Sequence, residues 1–207
     1  SRSPSPCFLP SESMPRTMIT VWSWKTRPSI TSTRTSRSES GAESQAVISA
    51  FDRGFRWGDA VYEVERTFGG EPYKMRPHLD RLYRTLRYTR IDPGMSAEEM
   101  IEITEEALRR NEHLRADVGD YTINQWVTRG VGGFASTTGL AEGPPAVCVN
   151  IHPINFDRYA HLYETGQHGV ITKTRSYSPE ALDPKIKHHS RMNFSLAALE
   201  ADDFDKG

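Results

Sequence analysis

The segment "LDPKIKHHSR", residues 182–191, concentrates groups that can do chemistry: two lysines, two adjacent histidines and an arginine. A neutral lysine amine can attack an aldehyde and can then move a proton at a carbon atom, provided that burial or neighbouring cations keep it unprotonated. Pro184 ends whatever precedes it, so we expect "KIKHH" to run extended before a helix that begins near Ser190. In an extended chain Lys185 and Lys187 point the same way, so the alternation does not choose between them, and lysines beside a proline are usually solvated surface charges.

The paired histidines, His188 and His189, do not form a metal site by themselves. Adjacent residues of a strand diverge and cannot bind one ion together. We therefore predict that the chain holds no metal.

The amino-acid composition indicates which class of binding partner to expect. The 207 residues are 36% hydrophobic and 26% charged, which is ordinary for a globular protein of one or two domains. The net charge of −1 favours a small molecule over nucleic acid or an anionic membrane surface. No apolar run reaches the roughly 18 residues that span a bilayer. Cys7 and Cys148 lie far apart without metal-type spacing, which suits a reducing compartment, and we expect a cytoplasmic protein.

The two ends differ from the rest of the chain. Residues 1–44 are rich in Ser, Thr, Arg and Pro and show no sustained period, so we expect a disordered leader outside the fold. An organellar transit peptide is the alternative, which Glu12, Glu39 and Glu43 disfavour. The final "ADDFDKG" directly follows a helical pattern, and we expect that the chain is truncated there.

From residue 46 the pattern predicts an α+β fold. "AVYEVERTF" and "EPYKM" indicate two strands joined by Gly69-Gly70, and "RPHLDRLYRTLRY" has its apolar residues on one helical face. Ser96 and Glu99 form a capping box that begins a second helix, which runs to about Asn111.

Further along, "YTINQWVTRG" and "AVCVNIHPI" are typical of strands, and a glycine-rich loop separates them. A helix at about 156–167, a strand at "GVITKTRSY" and a last helix with an apolar face complete the expectation. We place a small α+β domain at 45–150 and the beginning of a second domain at 151–207.

The motifs "FDRGFRWGDAVYEVERTFGG", "HLDRLYRTL", "VTRGVG" and "LDPKIK" with the later "LAALEA" together resemble the class IV aminotransferases, the fold-type IV pyridoxal-phosphate enzymes. This family includes branched-chain, D-amino-acid and (R)-amine transaminases and aminodeoxychorismate lyase. The resemblance covers roughly 46–205 and implies the N-terminal domain of that fold plus the beginning of its C-terminal cofactor domain. It also implies pyridoxal 5′-phosphate as the cofactor, an amino acid or amine donor, a 2-oxo acid acceptor and a homodimer.

The resemblance assigns roles to individual residues. Lys187, which closes "LDPKIK", matches the lysine that forms a Schiff base with the cofactor aldehyde. Arg81 of "HLDRL" matches the arginine that binds the cofactor phosphate, for which a planar guanidinium is well suited. Where the family commonly carries a tyrosine for the cofactor's phenolic oxygen, this chain has Arg191 and Met192, and Arg191 is the candidate replacement.

The expected substrate pocket comprises Trp57, Tyr62, Val64, Arg66 and Asn124. Asn124 stands where branched-chain enzymes place an arginine for the substrate carboxylate, and a neutral amide does not pair a carboxylate as a charge does. Tyr62 and Val64 look more like the D-amino-acid and amine branch, yet the carboxylate trap that D-amino-acid enzymes carry after "VTRG" is missing, which leaves Arg66 as the candidate trap.

The substrate class therefore stays open among branched-chain amino acids, D-amino acids and (R)-amines. Two alternatives to an aminotransferase remain. One is an enzyme like aminodeoxychorismate lyase on the same scaffold. The other is a non-catalytic truncated fragment, because the family's glutamate for the pyridine nitrogen would lie beyond residue 207.

Overall fold

The computed structural model describes residues 18–23, 38–42, 47–132 and 143–204. The strands are β1 (Met18–Ser23), β2 (Ser38–Ala42), β3 (Ala60–Phe68), β4 (Glu71–Pro72), β5 (Tyr121–Thr128) and β6 (Ala146–Pro153). The helices are α1 (Arg53–Trp57), α2 (Met75–Thr89), α3 (Ala97–Asn111), α4 (Arg115–Val118), α5 (Asp157–Ala160), α6 (Leu162–Thr165) and α7 (Met192–Phe204), with a 3-10 turn (Glu112–Leu114) before α4.

The described strands form one sheet in the order β2-β1-β6-β5-β3-β4, and each neighbouring pair is antiparallel. One face of the sheet is covered by α2 and α3. The α+β class predicted from the sequence is therefore confirmed.

The core lies between this sheet face and the two long helices. Residues two apart along β5 and β6 point into it, and α2 and α3 contribute the opposite layer. The buried set includes Tyr121, Ile123, Val127, Val147, Val149, Ile151, Leu79, Leu82, Leu86 and Met100. Full burial of a large apolar side chain contributes about 1.5–3 kcal/mol, so this layer is the main source of the domain's stability.

Several local predictions are confirmed. The apolar spacing of α2 produces the buried Leu79, Leu82 and Leu86. At the start of α3 both hydrogen bonds of the capping box between Ser96 and Glu99 are present. Gly69 and Gly70 have φ angles of 61° and 89°, the left-handed conformations that a tight β3–β4 turn requires.

The expectation that residues 1–44 stay outside the fold is wrong for two segments. β1 pairs with β6 from Ile19 opposite Asn150 to Ser23 opposite Ala146, and β2 pairs with β1. Ladder pairing uses backbone N–H and C=O groups, so a segment rich in polar side chains can still extend a sheet. The rest of the leader and the glycine-rich residues 133–142 lie outside the described part of the chain.

The structure also corrects the region after β6. The helix expected at about 156–167 is two one-turn helices, α5 and α6, on either side of His161. The strand expected at "GVITKTRSY" is irregular, because the N–H groups of Lys173 and Thr174 donate to the carboxylate of Glu200 on α7 and not to a neighbouring strand. Nowhere in the described ranges is there a helix with the length and apolar character needed to cross a bilayer.

Candidate active site

The lysine-bearing segment is attached to β3 by backbone hydrogen bonds. Tyr62 N donates to Lys187 O at 3.1 Å, and His189 N donates to Ala60 O at 2.9 Å. Val61 and His188 form an antiparallel bridge between them. The segment is therefore extended over 187–189, as predicted, whereas Lys185, also expected to be extended, lies in a turn with Pro184. Ile186 packs against the core of the domain.

The structure distinguishes the two lysines. Lys187 is half-buried and places its Nζ 4.2 Å from the centre of the Tyr62 ring, whereas Lys185 is exposed. Stacking on an aromatic face restricts a flexible lysine and shields one side of its amine from water. The side chain that the family resemblance selects is thus also the one that the fold orients.

A cavity of about 390 Å³ adjoins Lys187. Its wall includes four cationic side chains and two aromatic rings: Arg81, Lys185, Lys187, Arg191, Tyr177 and Phe194. The volume is within the range of small-molecule sites. The structure therefore brings together the three residues predicted to meet the cofactor, which are Lys187, Arg81 and Arg191.

The turn before Lys187 is held by Asp183. Its Oδ1 accepts from Lys185 N at 2.9 Å, and its backbone O accepts from Ile186 N at 3.0 Å. The hydroxyl of Tyr88, near the end of α2, also donates to this carboxylate. The backbone hydrogen bond from Lys185 outweighs the effect of burial and, with Tyr88, holds the pKa of Asp183 below its usual value.

Arg81 is positioned by a buried carboxylate that the sequence reasoning missed. Its Nε lies 2.5 Å from Glu63 Oε1 and its Nη2 2.6 Å from Oε2, while His78 Nδ1 lies 3.0 Å from the same Oε2. Burial alone raises the pKa of Glu63, but the hydrogen bonds from Arg81 and His78 outweigh it and hold this pKa below the usual value. Glu63 is therefore an anion that fixes the guanidinium through Nε and Nη2.

Glu63 had a signal in the sequence. It occupies an inward-pointing position of the alternating strand β3, where an apolar residue would be ordinary, and a carboxylate in such a position needs cationic partners. The sequence alone does not show that His78 and Arg81 are these partners, because both lie on a different element, helix α2, which follows a turn.

His188 is one of the residues that line the cavity, and one of its ring nitrogens is buried. Its Nδ1 is buried and has no hydrogen-bond partner within the described ranges, and the edge of its ring meets Tyr177 at a centroid distance of 5.2 Å. Burial, together with the charges of Arg191 and His189, holds the pKa of His188 below its usual value. A neutral imidazole at this place can hydrogen-bond a polar ligand.

The expected pocket residues are spread along the opposite sheet face from the core. Tyr62 is the one that contacts Lys187, and Val64 lies opposite Asn124 on the neighbouring strand. Trp57 is on α1, with the guanidiniums of Arg53 and Arg56 at 5.2 and 4.6 Å from its ring.

The guanidinium of Arg66 contacts residues outside the expected substrate pocket. Its guanidinium lies 3.6 Å from Asp120 and over the rings of Phe68 and Phe156. Arg66 lies four positions after Tyr62 on the same strand, which corresponds to a distance of about 13 Å. The structure thus does not bring Arg66 to Lys187.

No cluster of three or more potential metal ligands occurs in the ranges that the structure describes.

Comparison with known proteins identifies the family to which this chain belongs. The model of the class IV amino-transferases matches residues 60–205, and the chain belongs to this family. The relatives differ in reaction. A protein of Methanocaldococcus jannaschii, provisionally named a branched-chain-amino-acid aminotransferase, is 32% identical over 77% of this chain. Aminodeoxychorismate lyase of Bacillus subtilis is 36% identical over 76%, and D-alanine aminotransferase of Staphylococcus aureus (strain N315) is 31% identical over 63%.

These relatives are longer than this chain. The match covers 52% of the M. jannaschii protein, 51% of the lyase and 44% of the D-alanine aminotransferase. The chain thus spans about half the length of the curated relatives that it matches.

Solved structures confirm the fold. The Escherichia coli branched-chain amino acid aminotransferase superposes with a TM-score of 0.65 at 19% identity. The superposition covers 78% of this chain and 52% of that one. The fold-type IV architecture expected from the motifs is therefore present.

Pyridoxal 5′-phosphate is the cofactor of this family, and the residues present here fit it. A half-buried amine suits its aldehyde, and the guanidiniums of Arg81 and Arg191 suit its phosphate and phenolic oxygen.

Proposed function

We propose that the protein to which this chain belongs is a pyridoxal-phosphate-dependent aminotransferase that moves an amino group to a 2-oxo acid. The observation that carries this proposal is the placement of Lys187, half-buried against the Tyr62 ring beside a cavity that also contains Arg81 and Arg191. When bound, the cofactor supplies an aldehyde that condenses with amines and a conjugated ring that accepts electrons from the substrate.

The chain's own residues then have separate tasks. Lys187 Nζ would hold the cofactor through its aldehyde, and as a free amine it would move a proton at the substrate α-carbon. Tyr62 restricts the path of that amine, and the backbone pairing of Lys187 with β3 fixes its Cα. Arg81 would bind the phosphate, and Arg191 would donate to the phenolic oxygen.

For the amino donor, we propose the D-amino-acid or (R)-amine type before the branched-chain type. Asn124 offers no charge to an α-carboxylate and the guanidinium of Arg66 is held by Asp120, which favours an (R)-amine without a carboxylate. The D-amino-acid type is supported by Tyr62 and Val64, which resemble that branch of the family. Val64 and Asn124 face the same side of the sheet as Tyr62.

A lyase of the aminodeoxychorismate type is the second candidate, favoured by the 36% identity to the B. subtilis enzyme. Both reactions use the same lysine and phosphate arginine, so Lys187 and Arg81 do not distinguish them. We also propose a homodimer, as the family resemblance implies.

The experiment that tests the proposal measures product formation. The purified protein is incubated with pyridoxal phosphate, pyruvate and each of D-alanine, L-leucine and (R)-1-phenylethylamine, and separately with aminodeoxychorismate. Amino transfer that disappears in Lys187→Ala supports the proposal, and pyruvate release from aminodeoxychorismate without amino transfer would replace it by the lyase. If the protein binds pyridoxal phosphate at Lys187 but catalyses neither reaction, the chain is the non-catalytic fragment.

A further inference from the structure

The cavity beside Lys187 has more positive charge than the assigned roles use. Four cationic side chains line it, and the carboxylate among its lining residues is Asp183, which is already engaged by Lys185 N and Tyr88. One cation, Lys187, is consumed by attachment to the cofactor. The remaining cations, Arg81, Lys185 and Arg191, must balance the negative charges of the bound ligand.

Arg81 is a weaker source of net charge than its type suggests. Its guanidinium is paired through two nitrogens with Glu63, whose side chain is 0% exposed. A buried ion pair presents hydrogen-bond donors to a ligand, but its net charge is close to zero. A phosphate group carries close to two negative charges at neutral pH and needs further cations to balance them.

Lys185 is placed to supply one of these charges. Lys185 lines the cavity together with Lys187, although it lies in the 183–186 turn and not in the extended part of the segment. The carboxylate of Asp183 interacts electrostatically with Lys185, but no carboxylate lies within ion-pair distance of the Lys185 ammonium in the part of the chain that the structure describes.

The backbone at Lys185 is also fixed from several sides. Its N–H donates to Asp183 Oδ1 at 2.9 Å, Pro184 restricts the preceding residue, and Ile186 is anchored against the core on the opposite side. The direction of the Lys185 side chain is thus set by the turn, although its ammonium end stays exposed to solvent.

We propose that Lys185 is a second cation of the phosphate site that Arg81 begins. This rests on the proposed function, in that the anion is the phosphate of the bound cofactor. Arg81 supplies fixed donors, and Lys185 supplies the net charge that the Arg81–Glu63 pair lacks.

The test compares two aldehydes that differ only in the phosphate. The dissociation constants of pyridoxal phosphate and of pyridoxal are measured by absorbance titration for the wild type, Lys185→Gln, Lys185→Arg and the control Lys173→Gln. Lys173 is an exposed lysine, so its substitution makes the same change in net charge away from the cavity.

We expect Lys185→Gln to weaken pyridoxal phosphate binding about three- to tenfold, as befits a partly solvated ion pair, and pyridoxal binding less than twofold. Lys185→Arg should retain most of the affinity, and Lys173→Gln should match the wild type. Inorganic phosphate, titrated by phosphorus-31 NMR without cofactor, should also bind Lys185→Gln more weakly.

An equal loss for both aldehydes, or no loss for either, would overturn the proposal. Unchanged binding of both aldehydes with weaker competition by a dicarboxylate such as maleate would mean that Lys185 serves the substrate carboxylate. Failure of the proposed function has a different signature, because then the wild type itself forms no Schiff base with either aldehyde.

Discussion

Glu63 and Arg81 form a bidentate ion pair between strand β3 and helix α2, with Nε–Oε1 and Nη2–Oε2 distances of 2.5 and 2.6 Å. The carboxylate is buried and the guanidinium reaches the cavity beside Lys187. The pair therefore connects the core of the α+β domain to the expected phosphate site.

The first prediction concerns Glu63→Gln. An amide cannot accept from Arg81 and His78 as a carboxylate does, so we expect the free energy of unfolding to fall by about 1–3 kcal/mol. Urea denaturation at pH 7 measures this change. Glu98→Gln is the control, since Glu98 also pairs with an arginine, Arg76, but on the surface, and its effect should be smaller.

The pH dependence of the same variant gives a second check. The folded pKa of Glu63 lies below the unfolded value near 4.5, so its contribution is present above pH 4.5 and is lost as the pH falls through the folded pKa. The stability difference between wild type and Glu63→Gln should shrink in that acidic window. A difference that stays constant down to pH 3 would contradict the assignment of an ionised Glu63.

Glu65 behaves in the opposite way, which makes Glu65→Gln a separate prediction. Burial raises the pKa of this carboxyl, whose Oε1 accepts from Gln125 Nε2 at 3.0 Å, and the nearby Glu63 carboxylate adds to the rise. Its stabilisation is present below pH 4.5 and is lost as the pH rises through the raised folded pKa. We expect Glu65→Gln to gain stability relative to the wild type as the pH rises above about 5. Urea denaturation at several pH values measures this difference in the free energy of unfolding. A difference that narrows with rising pH would contradict the raised pKa of Glu65.

The third prediction concerns the "VTRG" motif. Arg129 Nε donates to Asp59 Oδ2 at 2.7 Å, and its Nη atoms donate to the carbonyls of Thr89 and Arg90 at the end of α2. A lysine cannot make these planar contacts together, so Arg129→Lys should lower the free energy of unfolding by about 1–3 kcal/mol. Reductive labelling of Lys187 should persist, and its loss in a variant that is still folded would show that Arg129 belongs to the site.

Substrate preference provides the fourth prediction. A charge-assisted pair contributes about 1.5–3 kcal/mol, so its absence at Asn124 should weaken selection for α-carboxylates roughly ten- to a hundredfold. (R)-1-phenylethylamine, which has no carboxylate, should then compete well with L-leucine in kcat/KM, and Asn124→Arg should shift the ratio toward the carboxylate-bearing donors L-leucine and D-alanine. Turnover of L-leucine alone would mean that another cation binds the carboxylate.

The elements found from the sequence are those whose signals are local. The leucine spacing of α2, the Ser96–Glu99 box and the Gly69-Gly70 turn each lie within a few residues, so each could be read directly. The predicted role of Lys187 also rests on a local signal, a family motif of consecutive residues.

The features that the sequence did not show depend on distant partners. β1 was missed because its partner, β6, lies more than a hundred residues away and pairing uses the backbone. The segment at 169–177 has strand-like composition, but its N–H groups are taken by Glu200. Likewise, the orientation of Arg81 depends on a carboxylate in another element, Glu63 of β3. The side chain of Arg66 pairs with Asp120 and therefore does not reach Lys187.

The most direct test of the account is to identify the lysine that carries the cofactor. The protein is saturated with pyridoxal phosphate, reduced with borohydride and digested, and the phosphopyridoxyl-bearing peptide is sequenced by mass spectrometry, with Lys187→Ala and Lys185→Ala as paired variants. We expect the label on Lys187, its loss in Lys187→Ala and its persistence in Lys185→Ala, because Lys187 is half-buried against Tyr62 and Lys185 is exposed. A label on Lys185, or equal labelling of scattered surface lysines, would contradict the central claim.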